Sequence, residues 1–255
     1  MQEEPVGTLH LLGTGAALSG KERTTTMLAL EGRDALVVID CGGDAAQRML
    51  VSGLDLNRVT ALVVTHEHAD HVAGFPLLME RLWLAGRTRP LDVFGIAPAL
   101  AQAKRVHDAF DTATWPAYPE IRYHEVAHVE DAPVIADDDF EIRATPGEHA
   151  VPVVGLRVRD VRGGGVLAYS CDTERCAAIT RMARGADLLV HEATGAWHGH
   201  SSALDAAEVA QAAGAERLVM VHIPPVADDG DAMLLEARER FSRSELGFDG
   251  AVHAF

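Results

Sequence analysis

A chain of 255 residues, 48% of them hydrophobic, can bury a sizeable core, and it has no run of the ~18 consecutive apolar residues that a membrane span needs. Its formal charge of −16, from 38 acidic against 22 basic residues, repels polyanions and counts against a large nucleic-acid substrate unless a local basic patch survives. A salt-adapted proteome produces the same balance. Three cysteines, Cys41, Cys171 and Cys176, are an odd number in a long chain, which argues against a disulfide framework. Cys41 and Cys171 adjoin candidate site residues, and small buried packing is expected of them ahead of ligation.

In chain order, Met1-Gln2-Glu3-Glu4-Pro5 is acidic where a secretory leader would be basic, so a cytoplasmic location is expected. Thr8 to Leu12 reads as a strand ending in Gly13-Thr14-Gly15. That turn has Leu18 where a dinucleotide loop needs its third glycine, and no Lys-Ser/Thr pair follows, so a tight turn near the site is expected. Thr25 to Leu30 and Ala35 to Ile39 read as a hairpin whose second strand runs into Asp40. Gly42-Gly43 breaks that strand, and Asp44 caps a helix through about Val51. Leu62 to Thr65 is a buried strand, and His66-Glu67-His68-Ala69-Asp70-His71 follows at its end.

Past His71 the positions Val72, Phe75, Leu78, Leu82 and Leu84 suit a helix interrupted by Pro76 in its early turns. Leu91 to Phe94 reads as a strand and Pro98 to Phe110 as a helix. Asp111 to Val134 is poorly patterned and reads as a loop near a pocket mouth, with Trp115 and Tyr118 expected to pack rather than stack on a substrate ring. His107, His124 and His128 are expected at the surface. The acidic runs Ala136-Asp137-Asp138-Asp139-Phe140-Glu141 and Asp228-Asp229-Gly230-Asp231 read as solvated loops.

Phe140 to Ala144 is a strand, and Thr145-Pro146-Gly147-Glu148 then turns the chain to deliver His149. Val151 to Val158 and Val166 to Tyr169 flank the turn Arg162-Gly163-Gly164-Gly165, and the second delivers Asp172. Leu188 to Val190 delivers His191-Glu192, Ala203 to Ala213 is a helix, and Leu218 to Val221 delivers His222. Apolar strands that each end in a potential ligand describe a sheet rim carrying an active site. With no linker or repeat, residues 1–255 read as one layered α/β domain.

The ligand chemistry follows from these placements. On an extended backbone His66 and His68 share a face and can hold one ion; a helix starting at Ala69 swings Asp70 and His71 toward a second. Burying these groups is costly unless something binds them. His149 is the third donor expected at the first ion and His222 at the second, with Asp172 bridging both. Imidazoles and carboxylates suit Zn²⁺, or Mn²⁺ or iron where that metal is more available, whereas Mg²⁺ and Ca²⁺ sites use oxygen throughout. Two such ions lower the pKa of a shared water, as single zinc sites do to ~7, and clamp an anionic ester.

His66-x-His68-x-Asp70-His71 with Asp40, His149, Asp172 and His222 in this order resembles the metallo-β-lactamase superfamily. The resemblance implies a four-layer αβ/βα sandwich with a binuclear site on its rim. Leu12-Gly13-Thr14-Gly15-Ala16-Ala17, Lys21-Glu22-Arg23, Asp40-Cys41-Gly42-Gly43 and Tyr169-Ser170-Cys171-Asp172-Thr173 look like its ribonuclease Z-like phosphodiesterase branch. So do His191-Glu192-Ala193-Thr194 and Gly199-His200-Ser201-Ser202-Ala203. The resemblance implies that Asp70 is both ligand and water-orienting base, and that His200 is the acid held by Glu192, with His198 as its competitor. It leaves His191 facing the core, and Arg157 either holding a phosphate or simply exposed. It implies a homodimer.

Two departures bear on the substrate. Only 22 residues, Ala150 to Cys171, separate His149 from Asp172, too few for the arm with which ribonuclease Z grips transfer RNA. Ile223-Pro224-Pro225 stands where the tRNA-processing enzymes carry a Ser and an Arg. The chain therefore resembles armless members acting on small or cyclic phosphodiesters, either nucleotides or sugar cyclic phosphates. A tRNA 3′ endonuclease, an arylsulfatase or other metallo-hydrolase of this fold, and a non-catalytic metal-binding protein are the alternatives.

Overall fold

The structure, a computed structural model, describes residues 7–226 and 230–255. The acidic start Met1 to Pro5 and the pair Asp228-Asp229 lie outside the described residues. The apolar runs pair into two seven-stranded sheets. The first contains β1 (Thr8–Gly13), β2 (Met27–Glu31), β3 (Leu36–Ile39), β4 (Ala61–Val64), β5 (Leu91–Gly95) and β6 (Ile121–Glu125), with β14 (Val252–Ala254) outside β1. The second contains β7 (Ala132–Ala136), β8 (Phe140–Pro146), β9 (Val154–Asp160), β10 (Val166–Tyr169), β11 (Leu188–Glu192), β12 (Leu218–Val221) and β13 (Ser244–Leu246).

Each sheet begins antiparallel and turns parallel, from β3 onward in the first and from β10 onward in the second. Parallel neighbours need long crossovers, and helices supply most of them: α1 (Ala45–Val51), α2 (Ala69–Val72), α3 (Phe75–Leu84), α4 (Ala97–His107), α5 (Ala177–Met182), α6 (Ala203–Ala213) and α7 (Asp231–Arg240). Asp44 caps α1 through the Gln47 amide, and α6 opens on a capping box between Ser202 and Asp205.

Side-chain alternation shows how the layers stack. Leu188 and Val190 of β11 and Val219 and Val221 of β12 join Leu9, Leu28 and Phe140 in one core cluster. Their neighbours Leu189, Leu218 and Met220 join Ala206, Ala207 and Ala210 of α6 in another. A sheet buried on both faces needs apolar residues at both parities, which is why these strands lack polar alternation. α4 covers β4, β5 and β6, and α6 covers β11 and β12, giving the four-layer αβ/βα sandwich of the metallo-β-lactamase fold. None of the described helices is long and apolar enough to cross a membrane.

Four expectations need correction. The segment Asp111 to Val134 is not all loop: it contains β6 and begins β7, which are edge strands. Edge strands carry charged side chains such as Arg122 and Glu125, and that blurred the pattern. Pro76 interrupts nothing; it lies in the first turn of α3, where its missing N–H costs no hydrogen bond, and α2 has already ended at Val72. His107 is buried, 3.0 Å from the Tyr118 hydroxyl, while His124 and His128 are exposed. Trp115 packs on Trp83 with ring centroids 4.7 Å apart.

The fourth concerns the first acidic run, which is not simply solvated. Asp139 is 2% exposed. It accepts the amides of Asp34 and Ala35 at 2.6 and 2.7 Å and the Arg162 guanidinium at 2.6 Å, so it ties the β7–β8 turn to the β2–β3 turn. Asp137 accepts the Asp139 and Phe140 amides at 2.8 and 2.7 Å. Within the run Asp139 and Asp137 satisfy backbone donors, while Asp138 stays exposed.

Candidate metal centre

Three strand ends turn sharply toward one rim. Asp40 after β3, Cys171 after β10 and His222 after β12 all have left-handed backbones, with φ of 59°, 53° and 57°. Each such non-glycine residue costs on the order of 1–3 kcal/mol. The turns set Asp40, Asp172 and His222 beside the loop after β4, with α2 placing Asp70 and His71 one turn beyond His66 and His68.

Two donor sets result. His66 Nε2 and His149 Nε2 each stand 3.1 Å from His68 Nδ1, and Asp172 Oδ2 is 3.9 Å from His66 Nε2. In the second set Asp70 Oδ2 is 3.5 Å from His71 Nε2 and 3.3 Å from His222 Nε2. Asp172 Oδ2 lies 3.5 and 3.3 Å from the same two nitrogens, so this carboxylate faces both sets, as a bridge must. His71 Nε2 and Asp172 Oδ1 are buried with no hydrogen-bond partner, a costly arrangement for a protein without a cation there. Tetrahedral donors with bonds of ~2.0–2.1 Å stand about 3.3 Å apart, close to the spacing of both sets. The residues therefore fit two divalent cations.

Electrostatics points the same way. Burial, reinforced by the neighbouring imidazoles, pushes His66 below the ordinary imidazole range and keeps a lone pair free. Burial likewise pushes His149 down. His71 goes up: burial opposes its charge, but Asp172 and Asp40 outweigh it. Burial also opposes ionisation of Asp70 and Asp172, yet His222 and His71 hold both far below the carboxylate range. The carboxylates that draw a proton to His71 would equally favour a cation at the same place.

Three of the imidazoles are aimed by a partner on the other nitrogen, which fixes the tautomer. His71 Nδ1 meets Asp40 at 2.8 Å, His149 Nδ1 meets the Gly199 carbonyl at 2.6 Å, and His222 Nδ1 meets the Thr194 hydroxyl at 2.7 Å. Asp40 is thus the partner of a candidate ligand, and it also accepts the Thr65 amide and hydroxyl at 2.9 and 2.8 Å. The sequence offers Asp40 as a potential ligand at a strand end and Thr194 only within a motif, and signals the orienting role of neither. The Gly199 carbonyl belongs to the backbone and leaves no signal in composition or spacing.

The remaining candidates separate cleanly. His200 Nδ1 lies 2.9 Å from Glu192 Oε1, with 21% of its side chain exposed, and its ring stands 4.9 Å from His149 and 5.7 Å from His222. Burial opposes its charge, but Glu192 raises its pKa overall. His198 is 88% exposed and pairs with Glu174. Cys171 donates to Thr65 Oγ1 at 2.9 Å on the Nδ1 side of His66, and burial pushes its thiol up, away from the thiolate a metal needs. His191 is fully buried against the Glu192 carbonyl. Arg157 donates to the Met182 and Arg184 carbonyls at the end of α5, at 2.7 and 3.0 Å, so it is neither exposed nor aimed at a phosphate.

Residues 36–223 match the family described as the beta-lactamase superfamily domain. A ribonuclease Z from Geobacillus kaustophilus is 30% identical over 306 aligned positions, covering 95% of this chain and 97% of that protein. The alignment is longer than this chain of 255 residues, so the relative carries segments that this chain lacks. Among solved structures, the metallo-beta-lactamase fold protein YhfI from Bacillus subtilis superposes with a TM-score of 0.82 at 21% identity, covering 98% of this chain and all of that one. A diphosphatase of the PhnP family gives a TM-score of 0.75 at 21% identity over 98% of each chain.

Proposed function

The chain belongs to the beta-lactamase superfamily, and from that footing we propose a binuclear metal-dependent phosphodiesterase. The observation carrying it is the position of Asp172, one carboxylate facing two donor sets, His66, His68 and His149 on one side and Asp70, His71 and His222 on the other, with His200 between them. Two divalent ions, Zn²⁺ by donor chemistry and Mn²⁺ or iron where more available, supply Lewis acidity and a water activated near neutral pH when bound.

The chain's own residues supply the rest. Asp70, held anionic, accepts a hydrogen bond from the attacking water and orients it. His200 keeps its Nδ1 on Glu192 and so presents Nε2, from which a proton passes to the leaving oxygen. Glu192 is held in turn by the Thr173 and Thr194 amides at 3.0 and 2.9 Å, which fixes the acid's direction.

A small or cyclic phosphodiester is the proposed substrate. Between His149 and Asp172 the chain makes only β9, a turn and β10, and the net charge of −16 disfavours a long polyanion. RNA is the second reading, favoured by the name of the Geobacillus relative. The proposal includes one hydrolase domain over residues 1–255 and a homodimer acting in the cytoplasm. The test is turnover by the metal-loaded protein of bis-p-nitrophenyl phosphate, a cyclic nucleotide, an aryl sulfate and a precursor tRNA. Cleavage confined to the diesters supports the first reading, 3′ cleavage of the precursor establishes the second, and hydrolysis of the sulfate alone removes both.

A further inference from the structure

Glu174 follows the bridging carboxylate by two positions and reaches across to the loop that carries the acid. Its Oε1 accepts the Gly199 amide at 2.8 Å and lies 3.0 Å from His198 Nδ1. Its own amide donates to the Glu148 carbonyl at 2.7 Å, next to His149. Gly199 is where these connections meet. Its carbonyl accepts His149 Nδ1 at 2.6 Å, and the next residue is His200. Gly199 has φ +83°, and a Cβ there would lie 2.8 Å from His149 Nδ1 and 3.1 Å from the Ala150 amide, so glycine alone lets the loop approach this closely.

We propose that Glu174 is a positioning residue: by anchoring the loop at the Gly199 amide it keeps the Gly199 carbonyl within reach of His149 Nδ1 and sets the reach of His200. The Gly199 amide and carbonyl belong to successive peptide units that share the Gly199 Cα, so an anchored amide fixes the point from which the carbonyl projects toward His149. Without Glu174 the loop loses its anchor at Gly199, its carbonyl can draw away from His149, and Nε2 of His149 is no longer held as the lone-pair nitrogen facing His68. The His200 backbone, tied to the Trp197 carbonyl at 3.0 Å, moves with the same loop. The inference rests on the metal-site reading of His149 and leaves the identity of the substrate open.

The competing description is a surface ion pair between Glu174 and His198, which are 40% and 88% exposed and for which little effect is expected. Three variants separate the two. Gln at 174 keeps a carbonyl oxygen for the Gly199 amide, so E174Q behaves as the parent. E174A lowers zinc affinity at the His66, His68 and His149 set about 10-fold or more in chelator competition, the range usual for losing a ligand's hydrogen-bond partner. It also mixes His149 tautomers in the ¹⁵N spectrum of the metal-free protein. H198A changes neither readout. An E174A protein with parental zinc affinity and a single Nδ1–H tautomer overturns the proposal, as does an H198A protein that matches E174A. Both readouts hold whether or not a phosphodiester is the substrate.

Discussion

The first sheet brings four of the candidate ligands to the rim in one loop, His66 to His71 after β4, whereas the second brings His149, Asp172 and His222 from three separate strand ends after β8, β10 and β12. The loop supplies two donors to each set and completes neither. Closure comes from the other half of the molecule, so ions that complete both sets also join the two sheets. A protein wired this way couples metal affinity to sheet packing, and ligand binding to the folded state alone raises stability by mass action.

Removing the carboxylate common to both sets breaks the arrangement most completely. Asp172→Ala takes the metal content below two ions per chain by elemental analysis and phosphodiester turnover to background; two ions retained would remove the bridging role. His200→Ala leaves the metals in place and lowers kcat by ~10²–10⁴, the usual worth of a positioned acid. The loss is larger for an alkyl leaving group than for p-nitrophenolate, which departs without a proton. A uniform loss across leaving groups argues against an acid.

The partners of the ligands test each half separately. Asp40→Asn changes what His71 Nδ1 meets and weakens metal binding at the Asp70, His71 and His222 set by about 10–100-fold in chelator competition. Thr194→Val does the same to His222 from the second sheet, at the low end of that range. Equal affinities for parent and variants would show that the sheets, and not these contacts, aim the imidazoles.

A tie without metal completes the comparison. Asp139→Ala leaves the Asp34 and Ala35 amides without their acceptor where the turns of the two sheets meet, and lowers unfolding free energy by about 1–3 kcal/mol with kcat unchanged. Burial opposes the Asp139 charge, but Arg162 and the two amides hold its pKa below the ordinary carboxylate value. The folded value is the depressed one, so this stability is present above ~3.9 and is lost as pH falls through the folded pKa. In a urea titration the parent loses this advantage over the Ala variant in acid. The smallest effect belongs to His107, which burial pushes below its ordinary value. Its contribution is complete above ~6.5 and fades as pH falls, so the Trp83–Trp115 stack loosens in mild acid, visible in tryptophan fluorescence.

What could be read from residues alone divides along the same line. The motif after Thr65 was legible because its donors are neighbours in sequence, and a strand end followed by a helix fixes their directions locally. β10 to β12 were legible because strands buried on both faces are apolar throughout. β6 and β7 were not, because edge strands satisfy only one neighbour and tolerate charge. Asp139 was misread because a carboxylate capping a distant turn looks, in sequence, like one that meets water.

The sequence by itself determined the donor types, the order in which they arrive and a layered α/β domain, since burial and periodicity are written residue by residue; the two-sheet sandwich was legible only through the family resemblance. Tertiary structure alone decided which nitrogen of each imidazole faces the centre, that Asp40 meets His71, and that Gly199 lies between a candidate ligand and the candidate acid. Those outcomes depend on the direction of hydrogen bonds between segments up to 50 residues apart, and such directions exist only once the sheets have packed.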